Sequence, residues 1–139
     1  MSTRSLTVIK DEDGVEIATM YVHSDGYPTG HGKDLKEFLE PIRVGNGLSL
    51  SGKQGAYANG ANCLAAQIVA HFKTQEGGTY LCAAGVRNMD EEYIYEIESS
   101  QPCEPGHIRL RVVDVCNASV LFCGTVKDFD PAQAEGEEG

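Results

Sequence analysis

Residues 21–39, "YVHSDGYPTGHGKDLKEFL", contain the change from strand to helix that decides the fold class. The segment begins with the end of an alternating run and finishes with apolar residues spaced as on one face of a helix. Between them, Asp25 can hydrogen-bond the downstream backbone, Gly26 admits positive φ and Pro28 fixes a bend. The stretch therefore predicts a β-strand, a tight turn and a helix in direct succession.

Before this segment, two strands are predicted at "TRSLTVIK" and "EIATMYV", joined by the hairpin turn "DEDG" at 11–14. After it, the apolar spacing predicts one helix that Pro41 limits and a second helix over 61–74. Residues 43–60 are rich in glycine and serine and are predicted to form a long loop. Four further strands are predicted at "TYLCAAG", "EYIYEIES", "HIRLRVVDV" and "SVLFCGTV".

The order of elements is β-β-α-α-β-β-β-β, with the strands in runs and the helices segregated. This order predicts an α+β domain over residues 1–129, with a mainly antiparallel sheet of about six strands and two helices packed on one face. Residues 130–139 are acidic and poor in large apolar groups, so they are predicted to form a disordered tail.

The bulk properties exclude two classes of function. The 139-residue chain carries a formal net charge of −10, which argues against binding to long nucleic acid, where cations on phosphates dominate affinity. No apolar run approaches the ~20 residues that span a bilayer, and the N-terminus lacks the pattern of a signal peptide. We expect a cytoplasmic protein. A small anionic ligand stays open, since a pocket needs only a few donors.

The cysteines give no signal for a metal or for a disulfide framework. Their number is odd, and neither a C-x-x-C motif nor a Cys/His zinc spacing is present. We expect reduced cysteines that pack as small hydrophobic residues and no bound metal. The five are Cys63, Cys82, Cys103, Cys116 and Cys123.

The predicted helix start, at Gly30, His31, Gly32 and Lys33, is a candidate anion site. The first amides of a helix lack intrahelical partners and carry the positive end of its dipole. Glycines permit close approach, and Lys33 adds charge, so the turn is expected to hold a phosphate. An ordinary capped turn between strand and helix is the competing interpretation.

A catalytic constellation is the second alternative for the same turn. His23, Asp25 and His31 would suit acid–base chemistry or a metal, because imidazole titrates near neutrality and a carboxylate can orient it. The three groups lie on one turn without a second cluster elsewhere, which favours the binding interpretation over the enzymatic one.

Cations elsewhere add to the candidate site. Arg109 and Arg111 lie two apart on a predicted strand and so project from one face, where two guanidiniums suit a phosphate. Glu96 and Glu98 share that spacing, and a cross-strand salt ladder is the favoured interpretation for most of these charges. The other candidate ligand residues are Arg4, Arg87 and Tyr27, whose ring would stack on or wall the ligand.

The sequence resembles a small, largely uncharacterised family of phage and bacterial proteins that open with a "TRSL" strand and carry a "DGYPxGHG" turn before a helix. The likeness spans most of residues 3–74. The architecture is also loosely similar to phage anti-defence proteins of the anti-Thoeris type, which sequester nucleotide immune signals. The matching positions are Thr3, Arg4, Ser5, Asp25, Gly26, Tyr27, Pro28, Gly30, His31 and Gly32.

These observations lead to one expected function and two alternatives. The expectation is a non-enzymatic, homo-oligomeric binding protein that sequesters a small nucleotide-like or phosphorylated signal without a cofactor. Arg4, Asp25, Tyr27, Arg87 and Arg109 would bind it together with the helix start. The first alternative is a small hydrolase. The second is an acidic inhibitor that blocks a host protein.

Overall fold

A computed structural model describes residues 2–45, 57–99 and 104–136 of the chain. We number the strands and α-helices in chain order. The strands are β1 (Ser5–Lys10), β2 (Glu16–Val22), β3 (Arg43–Gly45), β4 (Tyr57–Asn59), β5 (Thr79–Cys82), β6 (Tyr93–Glu98), β7 (Arg109–Asp114) and β8 (Ser119–Thr125). The helices are α1 (Lys33–Leu39), α2 (Gly60–Phe72) and α3 (Pro131–Gly136), with a π-helical turn at Pro28–Gly32 and a 3-10 turn at Val126–Asp128.

Six strands form one sheet in the order β5-β2-β1-β6-β7-β8. Neighbouring strands run antiparallel except β1 and β6, which are parallel. The hairpin between β1 and β2 turns where the sequence predicts it, with Gly14 at φ 81° and its amide donating 3.0 Å to the Asp11 carbonyl. The predicted α+β class is thereby confirmed.

The helices and the C-terminal segment cover one face of this sheet. Alternation along the strands sends every second side chain to that face, where the apolar stripes of α1 and α2 meet it. Burial of these apolar groups is the main stabilising term of the fold. The largest fully buried members are Ile9, Met20, Leu35, Leu39, Ile42, Leu64, Ile68, Tyr95, Ile97 and Leu110.

The opposite face of the sheet is only half covered. Since β5 lies outside β2 and β6 lies beyond β1, residues 83–92 must cross both β2 and β1. Arg87 within this connection binds the Glu16 carboxylate through two guanidinium nitrogens, at 2.8 and 3.2 Å. The crossing accounts for the burial of Leu6 and Val8, which point away from the helices. No described helix or strand covers the outer surface of β6, β7 and β8, which we call the open face.

Two segments differ from the sequence-based expectation. Residues 43–60, predicted as a loop, contain the parallel pair β3–β4, while 46–56 lie outside the described residues. The predicted disordered tail forms α3 over Pro131–Gly136, because Ala134 is buried and Asp130 accepts hydrogen bonds from the first amides of the helix. No helix in the described ranges has the length and apolarity required to cross a membrane.

The cysteines also differ in part. Cys63, Cys82, Cys116 and Cys123 are free thiols, and Cys103 lies outside the described residues. Cys116 and Cys123 are exposed instead of packed as small hydrophobic residues, since one lies in the β7–β8 turn and the other on the outermost strand.

Replacing Phe129 with alanine is expected to lower the free energy of unfolding by about 3–5 kcal/mol. The ring is almost fully buried against Phe122, with centroids 5.1 Å apart, and holds the C-terminal segment on the sheet. Urea denaturation measures the effect. Val15→Ala, at an exposed position beside the hairpin turn, is the control and should change stability by less than 0.5 kcal/mol. Equal losses in both variants would contradict this role.

Candidate functional site

The helix after the turn begins at Pro28 rather than at Gly32, because the π-helical turn runs directly into α1. Proline suits the first helical position, where no amide donor is needed. The amide of His31 donates to the Asp25 carbonyl at 2.7 Å, and those of Gly30 and Gly32 donate to the Tyr27 carbonyl at 2.9 and 3.5 Å. The expectation of unpaired amides near Gly32, Lys33 and Asp34 is therefore wrong for Gly32, and also for Lys33, whose amide donates to the Gly30 carbonyl.

A carboxylate of the chain itself occupies the true helix start. Glu135 of α3 accepts hydrogen bonds from the Thr29 amide at 3.0 Å and from the Thr29 hydroxyl at 2.7 Å. A negative charge is favoured at this position by the free amides and by the helix dipole. The anion at this helix start is thus a side chain of the protein, and it lies at Thr29 instead of the predicted positions.

The glycines of the turn are required by packing. A Cβ on Gly26 would lie 2.7 Å from the Ser5 Cβ, and one on Gly32 would lie 3.1 Å from the Tyr95 ring. A Cβ on Gly30 would collide with the Asp25 carbonyl. Gly26 and Gly32 thus lie against β1 and β6, and Gly30 lies against the backbone of the turn itself, so these glycines serve close packing and do not open a cleft.

His31 belongs to the core. Its ring shares a 2.8 Å hydrogen bond with the Thr7 hydroxyl and packs edge-on against Phe72 and Tyr95, at centroid distances of 4.9 and 5.4 Å. Burial lowers the pKa of His31 to about 4, so the ring is neutral at pH 7. A buried, neutral imidazole provides neither a cation for a ligand nor a base accessible to a substrate.

The proposed catalytic groups do not converge. His23 is exposed and its ring bonds the Tyr21 hydroxyl at 3.0 Å, whereas His31 points into the core. Asp25 is exposed beside Tyr27, and its carboxylate raises the pKa of the Tyr27 hydroxyl. Across the described ranges, no three His, Cys, Asp or Glu side chains are grouped to hold a metal ion.

The predicted cations are dispersed over the molecule. Arg4 precedes β1, and Lys33 lies exposed on α1, on the helix-covered side. Arg87 is engaged by Glu16 on the crossing connection. Arg109 is paired with the last residue of β6, whereas Arg4 lies next to the first residue of β6. The two arginines are therefore separated by the length of a six-residue strand, about 17–20 Å. One small ligand cannot contact both arginines.

A cationic cluster lies at one end of the open face, where Lys10 of the neighbouring strand β1 meets Glu96, Glu98, Arg109 and Arg111. One carboxylate oxygen of Glu96 lies 2.6 Å from Nζ of Lys10, and the other lies 2.6 Å from Nη1 of Arg111. Partial burial opposes ionisation of Glu96, but the hydrogen bonds and charges of Lys10 and Arg111 outweigh it and lower the carboxyl pKa. The ion pair between Arg111 and Glu96 confirms this part of the salt ladder that was predicted between β6 and β7. Arg109, beside it, is exposed.

Sequence reasoning missed Lys10 and Cys123 as neighbours of the arginines. Lys10 approaches them only because β1 and β6 are parallel partners, and Cys123 lies opposite Arg111 on β8. The period-two spacing identified Arg109 and Arg111, but no local signal in the sequence specifies a parallel pairing of β1 with β6, whose partner residues are 88 positions apart.

A second concave feature lies between α1 and α2. Phe38 and His71 stack at 4.1 Å beside Asp34 and Glu37, in a groove of about 550 Å³. Its acidic rim is unsuited to a phosphate and suits a basic group of a partner.

Comparison of the chain with protein-family models, with curated proteins and with solved structures found no match. The candidate site therefore rests on the geometry of this chain.

The burial of His31 predicts a pH-dependent stability. Between pH 6.5 and about 4 the unfolded chain binds a proton at His31 that the folded chain does not bind, so this contribution is full above pH 6.5 and falls as the pH falls. When the pH falls from 7.5 to 4.5, the free energy of unfolding should decrease by about 2.5 kcal/mol more in the wild type than in His31→Gln. Urea denaturation at each pH measures both values. Val15→Ala, which is at an exposed position and changes no titratable group, is the control and should keep the wild-type slope. Equal slopes for His31→Gln and the wild type would contradict the buried, neutral ring.

Gly26→Ala is expected to lower the free energy of unfolding by about 1–3 kcal/mol, because its methyl group would overlap Ser5 and the Thr3 carbonyl. Thermal unfolding followed by circular dichroism measures the loss. Gly136→Ala is the control, since a Cβ at that helical position meets nothing within 4 Å. If Gly26→Ala matched the control, the close approach of the turn to β1 would be disproved.

Proposed function

We propose that the protein is a non-catalytic binding protein that sequesters a small phosphorylated or nucleotide-like anion at the cationic cluster of its open face. The observation that supports this most directly is the gathering of Lys10, Arg109 and Arg111 around one carboxylate, Glu96, on a chain with a net charge of −10. The role we propose is an anti-defence one, in keeping with the resemblance to phage proteins.

The charge balance of the cluster favours an anion. Glu96 neutralises one of its two bound cations, which leaves one positive charge in excess. Glu98 is opposite Arg109 in the strand register, but its carboxylate lies 3.3 Å from where a Cβ on Gly14 would be, toward the β1–β2 hairpin. Glu98 nevertheless lines the same pocket, so three cations face two carboxylates there, one positive charge is in excess, and Arg109 is exposed.

The geometry of the two arginines suits oxyanions with several acceptors. Residues two apart on a strand project from one face about 7 Å apart, and each guanidinium offers a planar set of donors that matches a phosphate. Arg111 uses Nη1 for Glu96. A phosphate or diphosphate bound to both side chains would add charge-assisted hydrogen bonds, which are stronger than those between neutral groups.

Binding without turnover is favoured over hydrolysis. The groups proposed for catalysis, His23, Asp25 and His31, point to different surroundings, and the cationic cluster contains no histidine. A general base must lie within hydrogen-bonding reach of the proton that it removes. At this cluster Glu96 is the central carboxylate, and both of its oxygens are bound to cations.

The groove between α1 and α2 supports a second candidate function, inhibition of a host protein. Asp34 and Glu37 flank the Phe38–His71 stack there, and this combination would receive a basic, partly apolar segment of a polypeptide. The acidic net charge would steer such a partner to the surface.

Charge reversal at the cluster tests the leading proposal. Isothermal titration calorimetry with ADP-ribose, ATP and a cyclic dinucleotide should show saturable binding of at least one, and Arg109→Glu with Arg111→Glu should weaken it tenfold or more. Lys33→Glu is the control, because it also reverses one positive charge but lies on the helix-covered side of the sheet. It should leave the dissociation constant within twofold of the wild-type value. The recovered nucleotide should be chemically unchanged.

Mass spectrometry of small molecules released from the heat-denatured, purified protein provides an independent test. A phosphorylated compound retained by the wild type and absent from the double variant supports the proposal. If both proteins retained the phosphorylated compound, the binding site would lie outside the cationic cluster. If the added nucleotide were converted to a product, the protein would be an enzyme and not a binding protein.

A further inference from the structure

Charge is distributed over the six-stranded sheet in an unusual way. Each of the four interior strands contains charged residues, whereas the two edge strands, β5 and β8, contain none. Natural sheets usually place charged residues, above all lysine, on their edges to prevent pairing with another chain. Here the edges are the uncharged part of a chain with net charge −10.

The β5 edge is nevertheless protected. Lys73, which follows α2, donates from its ammonium group to the Thr79 carbonyl at 2.7 Å and to the Gly77 carbonyl at 3.2 Å. Its charge also lies 5.1 Å from the centre of the Tyr80 ring. The strand has only four residues, so little free backbone is offered to a partner.

Among the described residues, no comparable lysine protects the β8 edge. It has seven residues without charge or proline, and Val120 is 50% exposed. A register shift opposite Val112 and Val113 places a bulge at Leu121, so the regular part of the edge is Phe122–Thr125. The C-terminal helix α3 packs on the helix-covered side, beside Leu121, and does not replace a strand at this edge.

We propose that β8 pairs antiparallel with β8 of a second copy of this chain, joining the two sheets into one across a two-fold axis. Cyclic dimers with such isologous contacts are the commonest homo-oligomers. A second copy is the favoured occupant because residues at a two-fold axis face their own copies, so a charge at the centre of β8 would oppose a like charge, and β8 has none. An uncharged edge is therefore what self-pairing of a strongly acidic chain requires.

The side-chain alternation fixes the register of this pairing. Directly opposed residues in antiparallel strands point to the same face of the sheet, whereas adjacent residues in one strand point to opposite faces. The two-fold axis must therefore lie where one residue is opposed by the same residue of the second copy. Centring on Cys123 pairs Phe122 with Gly124 and keeps the contact within the regular part of β8. Cys123 then faces Cys123 of the second copy, with Cα atoms about 4.5–5.5 Å apart.

The pairing also makes the open faces continuous. Arg111 of each copy lies one strand away from the shared edge, so the two guanidiniums start about 14 Å apart, across three strand spacings. That separation exceeds the Debye length of about 8 Å at physiological salt, so their mutual repulsion is screened. The two cationic clusters would then flank the two-fold axis.

Light scattering after size exclusion tests the dimer. The wild type at about 50 μM should have twice the 15.0 kDa mass of one chain, and Cys123→Lys, which opposes two charges at the axis, should have the mass of one. Cys116→Lys introduces the same charge in the exposed β7–β8 turn and should stay dimeric. A monomeric wild type, or a dimeric Cys123→Lys, would overturn the proposal.

Thiol cross-linking tests the register in the native chain and does not depend on the lysine variant folding. Diamide, as the added oxidant, should convert the two facing Cys123 thiols to one disulfide and give a dimer on non-reducing gels. Cys123→Ser should abolish this band and Cys116→Ser should retain it. A band that survives Cys123→Ser would place the contact elsewhere. Neither experiment contains a ligand, so failure here and failure of anion binding are separate results.

Discussion

The close contact between the turn at 25–32 and the middle of the sheet is the constraint on which the rest of the structure depends. The Tyr95 hydroxyl donates a hydrogen bond of 2.6 Å to the Gly26 carbonyl, and the Gly26 amide donates one of 2.9 Å to the Thr3 carbonyl. Tyr95 is buried in β6 and Gly26 follows β2, so these bonds join the two halves of the chain. A buried polar group without its partner costs about 1–3 kcal/mol, which makes the arrangement specific. It orients the helix that His31 then anchors on Thr7.

Most of the fold was predictable because the periodic signals are strong and local. Alternation located the strands, and the spacing of Leu35 and Leu39 located α1. The pair β3–β4 escaped prediction because three-residue strands carry too little pattern. The helix over 131–136 escaped because its stability comes from Ala134 and Glu135 docking on a distant turn, while its composition alone indicates disorder.

The candidate site was less predictable, since it depends on which way a side chain points and on distant partners. The sequence predicts a phosphate at the turn, and no local pattern shows that Glu135, 106 residues away, binds at Thr29 instead. A histidine between two glycines has no local signal for burial, and only the position of Thr7 beneath it determines its role. The arginines of β7 were found because a period of two is intrinsic to a strand.

The half-covered sheet face connects the cations with the free edge. Residues 83–92 cross β2 and β1, bury Leu6 and Val8, and stop short of β6, β7 and β8. Had the crossing extended over β7, Arg109 and Arg111 would have been desolvated, at a cost that a single carboxylate such as Glu96 would not offset. Charged residues can thus occupy an interior strand here only because its outer face is in water. The edge strand beside it needs no charge of its own for solubility, and it is thereby left able to pair.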